Sequence, residues 1–177
     1  MRKTCVREDP VIRDNPVSFD PIFSQESEIL ILGTFPSVIS RNENFYYANP
    51  RNAFWPIMEV LCGADNGFSG VSEKKKALID RKIALWDVCK TCKIRKSSDS
   101  SIKINEFNDV KTLFSQTKIK AVFFNGKKAE QLFKSYLKEK NITVSFSMET
   151  LPSTSPAYAI SPEKKRDIWI EKISLYL

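Results

Sequence analysis

The 177-residue chain contains no histidine, and this absence narrows the chemistry that it can perform. Without an imidazole there is no Ser-His-Asp triad, no histidine general base and no histidine ligand for a metal ion. Any catalysis must therefore depend on asparagine, carboxylates, hydroxyls, backbone amides or thiols.

Long apolar segments are missing as well. No apolar run approaches the roughly 18 residues that a membrane-spanning helix requires, and the polar residues 1–5 lack the apolar core of a signal peptide. We therefore expect a cytoplasmic protein with no membrane partner.

The length suits one compact domain over residues 1–177, acting as a monomer. Residues 1–27 are expected to form an extended N-terminal arm, because Pro10, Pro16 and Pro21 disfavour regular structure there.

Cysteine is scarce, with four in the chain, and only Cys89 and Cys92 are closely spaced. Their CxxC spacing is typical of half of a zinc site or of a redox pair. A complete zinc site needs a second close pair, and Cys5 and Cys62 lie far apart in the sequence. We therefore favour reduced structural thiols over a metal site, and we expect neither a metal nor a cofactor.

Basic residues outnumber acidic ones by 28 to 21, which gives a net charge of +7. A positive excess on a small domain attracts polyanions, of which nucleic acid is the commonest. The alternative is that the charge only keeps the protein in solution. The charge is thus compatible with a DNA partner but does not identify one.

Short apolar runs alternate with helical patterns along the chain. The runs predict strands at residues 29–33, 83–86, 119–124 and 142–146. The helical spacing of apolar residues predicts helices after Asn52, behind Asn125 and Gly126, after Asn108 as N-cap, and at Ser161. This alternation predicts an α/β fold, a three-layer sandwich in which helices flank a central, mainly parallel sheet of four strands.

Ligands of such sheets bind at the carboxyl ends of the strands, and two unusual loops follow strands there. The first has the sequence Gly-Thr-Phe-Pro-Ser at 33–37 and Phe-Tyr-Tyr-Ala-Asn-Pro-Arg-Asn at 45–52, and the second has Leu-Pro-Ser-Thr-Ser-Pro-Ala at 151–157. Glycine and proline shape turns that let backbone amides approach a ligand. Aromatic rings offer a flat surface for a base, and Ser or Asn can hydrogen-bond its edge.

In this order, the two loops resemble the signature motifs of the uracil-DNA glycosylase superfamily, and the chain is most similar to its hypoxanthine-DNA glycosylase family. Supporting segments are Leu-Trp-Asp-Val at 85–88 and Phe-Asn-Gly-Lys-Lys-Ala at 124–129. The resemblance implies a monofunctional DNA glycosylase that flips a deaminated base, hypoxanthine, out of double-stranded DNA and hydrolyses its N-glycosidic bond in base excision repair. A uracil or G/U mismatch glycosylase, and a non-catalytic DNA-binding domain of the same fold, are the alternatives.

The resemblance also assigns site residues. Asn52 matches the asparagine on which hypoxanthine-DNA glycosylases depend, so it is the expected catalytic residue. The expected base-binding residues are Gly33, Thr34, Phe35, Tyr47 and Ser153, and the expected DNA-binding residues are Ser37, Arg51, Lys127, Ser155 and Tyr158. Mismatch-type uracil glycosylases carry an asparagine at the position of Phe35, which favours the hypoxanthine branch. Related sequences carry a histidine at the position of Asn49, so the resemblance assigns no role to that side chain.

Several of these residues also have an ordinary structural interpretation. Asn52 is a good N-cap for the helix that follows it, and we expect capping to compete with catalysis. Tyr47 can pack in the core, serines 153 and 155 can cap turns, and the cations can simply be solvated. Asp87 and Asp99 are the only acids near the predicted strand ends, and for both we favour an ion pair or a turn cap over a role in the reaction.

Overall fold

A four-stranded parallel sheet forms the centre of the computed structural model, which describes residues 16–94 and 102–177. Its strands are β1 (Ile29–Gly33), β2 (Ile83–Asp87), β5 (Ala121–Asn125) and β6 (Ser147–Leu151), in the spatial order β2-β1-β5-β6. All three pairings are parallel. A separate antiparallel hairpin consists of β3 (Cys89–Ile94) and β4 (Ile102–Phe107).

Helices cover both faces of this sheet, because side chains along each strand alternate between two cores. Ile29 and Ile31 of β1 lie in one core, and Leu30 and Leu32 lie in the other. The first core contains residues of α2 (Phe54–Cys62), α3 (Val71–Asp80) and α6 (Pro162–Ile173), and the second contains residues of α4 (Val110–Ser115) and α5 (Lys127–Glu139). The short α1 (Val38–Asn42) follows β1. The predicted three-layer fold is confirmed.

The predicted fourth strand, at 142–146, was wrong, since these residues form a connection and the strand is Ser147–Leu151. Ile142 and Phe146 instead pack as partly buried residues against the second core. The true strand lies at the edge of the sheet, and only its last residue is buried. Because most of its side chains are exposed or half-buried, it carries no continuous apolar run, unlike the other edge strand, β2, whose side chains are mostly buried.

The predicted N-cap at Asn108 was also wrong. Asp109 caps α4, because its Oδ1 accepts a hydrogen bond from the backbone N–H of Thr112 at 3.2 Å. The Asn108 side chain is buried, and its Nδ2 donates to the carbonyls of Asp87 at 2.8 Å and Cys89 at 3.2 Å. It therefore fixes the chain where β2 passes into the hairpin.

Two further elements depart from the sequence prediction. No strand was predicted after residue 86 on this side of Asn108, but the structure has β3 there, beginning at Cys89. Helix α3 was not predicted, and Leu78 is its only buried residue, so its apolar periodicity is weak. The predicted cap of α6 is confirmed, since the Ser161 hydroxyl accepts from the Lys164 N–H at 3.3 Å and Pro162 opens the helix.

The described part of the N-terminal arm runs along the sheet edge. Val17 and Ile22 make isolated antiparallel bridges to Thr91 and Leu85. Residues 1–15 of the predicted arm, and with them Cys5, lie outside the described residues, as does Asp99. Within the part of the chain that the structure describes, no helix combines the length and the apolar content needed to cross a membrane.

Candidate active site

The first signature loop begins where β1 ends, and a glycine is required there for steric reasons. A Cβ atom on Gly33 would lie 2.2 Å from Oδ1 of Asp87 and 2.7 Å from the hydroxyl oxygen of Tyr47. Gly33 pairs in register with Asp87, whose side chain is only 3% exposed. The glycine thus lets a carboxylate and a phenol approach the end of β1 together.

The residues after Gly33 divide between the interior and the surface. Thr34 is buried, and its carbonyl accepts from the Cys89 N–H at 3.1 Å. The Phe35 side chain packs in the second core beneath the guanidinium of Arg41, which lies 5.7 Å from the ring centroid. Because the ring belongs to the core, the base contact predicted for Phe35 would have to come from its backbone. Ser37 is exposed and caps α1 by accepting from the Ser40 N–H at 3.2 Å.

The aromatic trio of the first loop separates into two core residues and one residue at the end of β1. Phe45 and Tyr46 are buried, and the Trp55 indole N–H donates to the Tyr46 carbonyl at 2.8 Å. Tyr47 is half-buried, stacks on Phe54 with ring centroids 4.1 Å apart, and has a φ of 50°. A non-glycine residue rarely adopts this left-handed conformation, and such strain concentrates at functional sites.

Asn52 sits at the entrance of α2 and makes the capping contact that its sequence position suggested. Its Oδ1 accepts from the backbone N–H of Phe54 at 3.0 Å, although the formal N-cap residue is Ala53. The side chain is half-buried. This contact uses one lone pair of the amide oxygen and neither of the amide N–H groups. Capping therefore does not consume the hydrogen-bond donors that a departing base would need.

Neighbouring Asn49 makes a similar local contact. Its Oδ1 accepts from the backbone N–H of Arg51 at 3.0 Å, and its carbonyl accepts from the Asn52 N–H at 2.8 Å. In place of the histidine of related sequences, the asparagine thus shapes the turn that presents Asn52.

The second signature loop is tied to the first through Thr154, which is 1% exposed. Its carbonyl accepts from the Ala53 N–H at 3.0 Å. Its hydroxyl oxygen accepts from Nδ2 of Asn125, and its N–H donates to Oδ1 of the same residue, both at 2.8 Å. These two bonds hold the loop against the end of β5. Ser153 lies beside Gly126, where an added Cβ would be 3.1 Å from the Ser153 Cβ. Asn52 precedes Ala53 and Ser153 precedes Thr154, so the bond between Ala53 and Thr154 places Asn52 and Ser153 on neighbouring segments of the two loops.

Of the other residues predicted to contact the DNA backbone, Arg51 and Ser155 lie in the two loops, Tyr158 directly follows the second, and Lys127 is the first residue of α5. Arg51, Lys127 and Tyr158 are exposed, the last to 43%, and Ser155 is half-buried. Ser153 and Ser155 accept from the N–H groups of Ser155 and Ala157, both at 3.3 Å, so both also shape turns as their alternative interpretation proposed.

Sequence reasoning missed Thr154 and Lys165, which are buried polar residues that hold the second loop. Thr154 stands between two serines in what looked like an ordinary turn. Lys165 belongs to a helix whose first half is rich in charge, and nothing in the sequence distinguishes it from its exposed neighbours. The apolar stripe containing Trp169 was the only available signal for this face of α6.

We expect the Thr154→Val variant to lower the free energy of unfolding by about 1–3 kcal/mol, because it leaves the half-buried amide N–H of Asn125 without its acceptor. Chemical denaturation followed by circular dichroism measures this change. Thr143→Val makes the same chemical change at an exposed position and serves as the control. Equal stability of the two variants would show that the clamp contributes nothing.

The three cysteines that the structure describes do not add reactive groups to the site. Cys89 and Cys92 are buried free thiols on β3, and burial raises the pKa of Cys89 to about 12 and that of Cys92 to about 11. Burial likewise raises the pKa of Cys62 to about 11. Thiols with such pKa values stay protonated at neutral pH, and the thiolate is the form that attacks substrates and binds metals.

A cavity of about 640 Å³ lies elsewhere, lined by residues of β4, the turn after it, α4 and α5. It contains none of the residues of the two signature loops. The convergence of loops at the carboxyl ends of the strands, rather than cavity size, therefore identifies the site.

Comparisons with known proteins identify the family of the chain. The family model of the uracil DNA glycosylase superfamily matches residues 21–175. A Methanosarcina barkeri protein named hypoxanthine DNA glycosylase is 32% identical over 154 residues, which cover 86% of this chain and 94% of the relative. A protein of the same name from Methanosarcina acetivorans is 32% identical over 152 residues, covering 85% and 93%.

A solved structure shares the fold. It is a solution NMR structure from Methanosarcina acetivorans, described as that of a candidate uracil DNA glycosylase. It is 30% identical, has a TM-score of 0.71, and covers 89% of this chain and 98% of its own. The strand order, the two linked loops and these similarities together show that the chain belongs to the uracil DNA glycosylase superfamily.

Proposed function

We propose that this protein is a monofunctional DNA glycosylase that removes hypoxanthine from double-stranded DNA, acting as a monomer. The observation that carries the proposal is the hydrogen bond from Ala53 to Thr154, which joins the two signature loops next to Asn52. The names of the two relatives at 32% identity support hypoxanthine as the substrate base. The net charge of +7 suits a polyanionic partner.

In the proposed reaction, the damaged nucleotide leaves the duplex and its base enters the space between the loops. Tyr47 contacts the base, and backbone amides of the first loop and Ser153 hydrogen-bond to its edge. The N-glycosidic bond breaks and its electron pair leaves with the base. Water adds to the sugar carbon and loses a proton, and the base anion takes up a proton, so that the products are an abasic sugar and the neutral base. Asn52 donates hydrogen bonds from its amide to the departing base as negative charge develops there, which lowers the barrier electrostatically.

A lyase step through a Schiff base is not part of this proposal. Neither signature loop contains a lysine. The nearby Lys165 is buried, and its ammonium is already bonded to the carbonyl of Ser155. The expected product is therefore an intact strand with an abasic site.

A panel of duplexes, each with one hypoxanthine, uracil or undamaged base, tests the proposal. Strands are separated before and after alkaline cleavage of abasic sites. We expect alkali-dependent cleavage at hypoxanthine and little or none at the other bases. Faster release of uracil would replace hypoxanthine with the alternative substrate, and salt-dependent binding without any base release would indicate a non-catalytic DNA-binding domain.

A further inference from the structure

Two side chains on one face of helix α6 each donate a hydrogen bond to the second signature loop. The ammonium of Lys165 donates to the carbonyl of Ser155 at 2.7 Å. Trp169, one turn later, donates its indole N–H to the carbonyl of Pro152 at 2.8 Å. Residues four apart lie above one another on a helix, so the two bonds fix both ends of the segment 152–155.

Lys165 is an unusual residue for this task, because its side chain lies in the interior at 2% exposure. None of the ion pairs among the described residues involves it, and its ammonium lies 5.8 Å from the centroid of the Tyr158 ring. Burial lowers the pKa of Lys165. A lysine is almost never fully buried without a charged partner, so stability alone does not account for it.

We propose that Lys165 is a positioning residue, which holds the segment 152–158 in the conformation that grips the damaged DNA strand. This inference rests on the proposed function. The segment carries Ser153, Ser155 and Tyr158, the residues expected to contact the base and the DNA backbone. A loop fixed before binding loses less conformational entropy when it engages DNA. A phosphate bound by this segment also places a negative charge near the buried cation, which supplies the partner that Lys165 lacks among the described residues.

The test compares Lys165→Met, which keeps most of the apolar stem but removes the charge and the donor, with Lys164→Met. Lys164 is the exposed neighbour on the same helix, so its variant controls for the loss of one positive charge. Flipping is followed by the fluorescence of 2-aminopurine placed beside hypoxanthine, and excision by single-turnover kinetics at saturating enzyme.

We expect Lys165→Met to reduce the flipping signal and the excision rate by about tenfold, as the loss of a hydrogen bond from a charged donor predicts. Lys164→Met should stay within about twofold of the parent protein. Affinity for undamaged duplex, which depends on exposed cations, should fall no further in the first variant than in the second.

Equal flipping and excision by the two variants would overturn the proposal, and so would a loss that merely follows the unfolded fraction seen by circular dichroism. Should Lys165→Met not fold, the ¹⁵N signal of the ammonium in the unaltered protein decides the question. It persists in the complex with a lesion duplex if Lys165 holds the loop there, and its loss overturns the proposal. Parent protein that releases no base counts against the proposed function, whereas normal flipping in Lys165→Met counts against Lys165 alone.

Discussion

Replacing Asn52 with serine is expected to lower the single-turnover excision of hypoxanthine by about 10²–10³-fold, with little loss of DNA affinity. The reason is that the oxygen and the N–H groups of the Asn52 amide have different roles. Its oxygen accepts from the Phe54 N–H and helps to begin α2, whereas the amide N–H groups are the donors proposed for the leaving base. Serine retains an oxygen for capping but has no amide, and loss of one donor to a developing charge has an effect of this size.

Comparison of the serine variant with Asn52→Ala separates catalysis from capping. The alanine variant removes the capping oxygen as well as the amide, so we expect the same loss of excision together with a loss of stability of about 1 kcal/mol. Thermal unfolding of both variants gives the stability, and binding to an inosine duplex gives the affinity. If Asn52 only caps the helix, the serine variant will excise at the rate of the parent protein, and the catalytic assignment fails.

Gly33→Ala is expected to produce the second large effect, a loss of about 1–3 kcal/mol of stability with excision reduced about a hundredfold. The new methyl group would lie within 2.7 Å of the Tyr47 hydroxyl and closer still to Asp87. Both side chains must move, since overpacking of a filled interior forces such shifts. A displacement of about 1 Å at a reacting centre costs on the order of 10²-fold in rate.

Gly70→Ala provides the matched control for this steric argument. Gly70 precedes α3 in an extended conformation, with φ of 175°, and no atom lies within 4 Å of the position of an added Cβ. We expect its stability to stay within about 0.5 kcal/mol of the parent protein and its excision to be unchanged. Denaturant unfolding and the excision assay apply to both variants. Similar behaviour of the two glycine variants would refute the steric role of Gly33.

The central strands could be predicted because each is buried on both faces and therefore reads as a continuous apolar run. This holds for β1 and β5, which lie inside the sheet. It fails for β6, whose side chains are mostly not buried, whereas the other edge strand, β2, is mostly buried and carries such a run. The hairpin of β3 and β4 was not predicted either, because neither strand carries a continuous apolar run.

The sequence predicted the loops of the candidate site but not the buried residues that hold the second loop in place. Asn52, Tyr47 and Ser153 stand in recognisable loops, and the resemblance to a known family assigned their roles. Phe35 shows the limit of that transfer, because its ring belongs to the second core. No sequence pattern marks Thr154 or Lys165, because each acts through a hydrogen-bond partner that is distant in the sequence and is brought near only by folding.

The sequence by itself determined the alternation of strands and helices, the capped start of α6 and the absence of histidine chemistry, because these depend on local pattern and composition. Only the tertiary structure decided that Ala53 meets Thr154, that Asn125 clamps the second loop, and that a lysine of α6 lies beneath it. A buried polar side chain is stabilised by hydrogen bonds to distant segments, so its burial cannot be inferred from its neighbours along the chain.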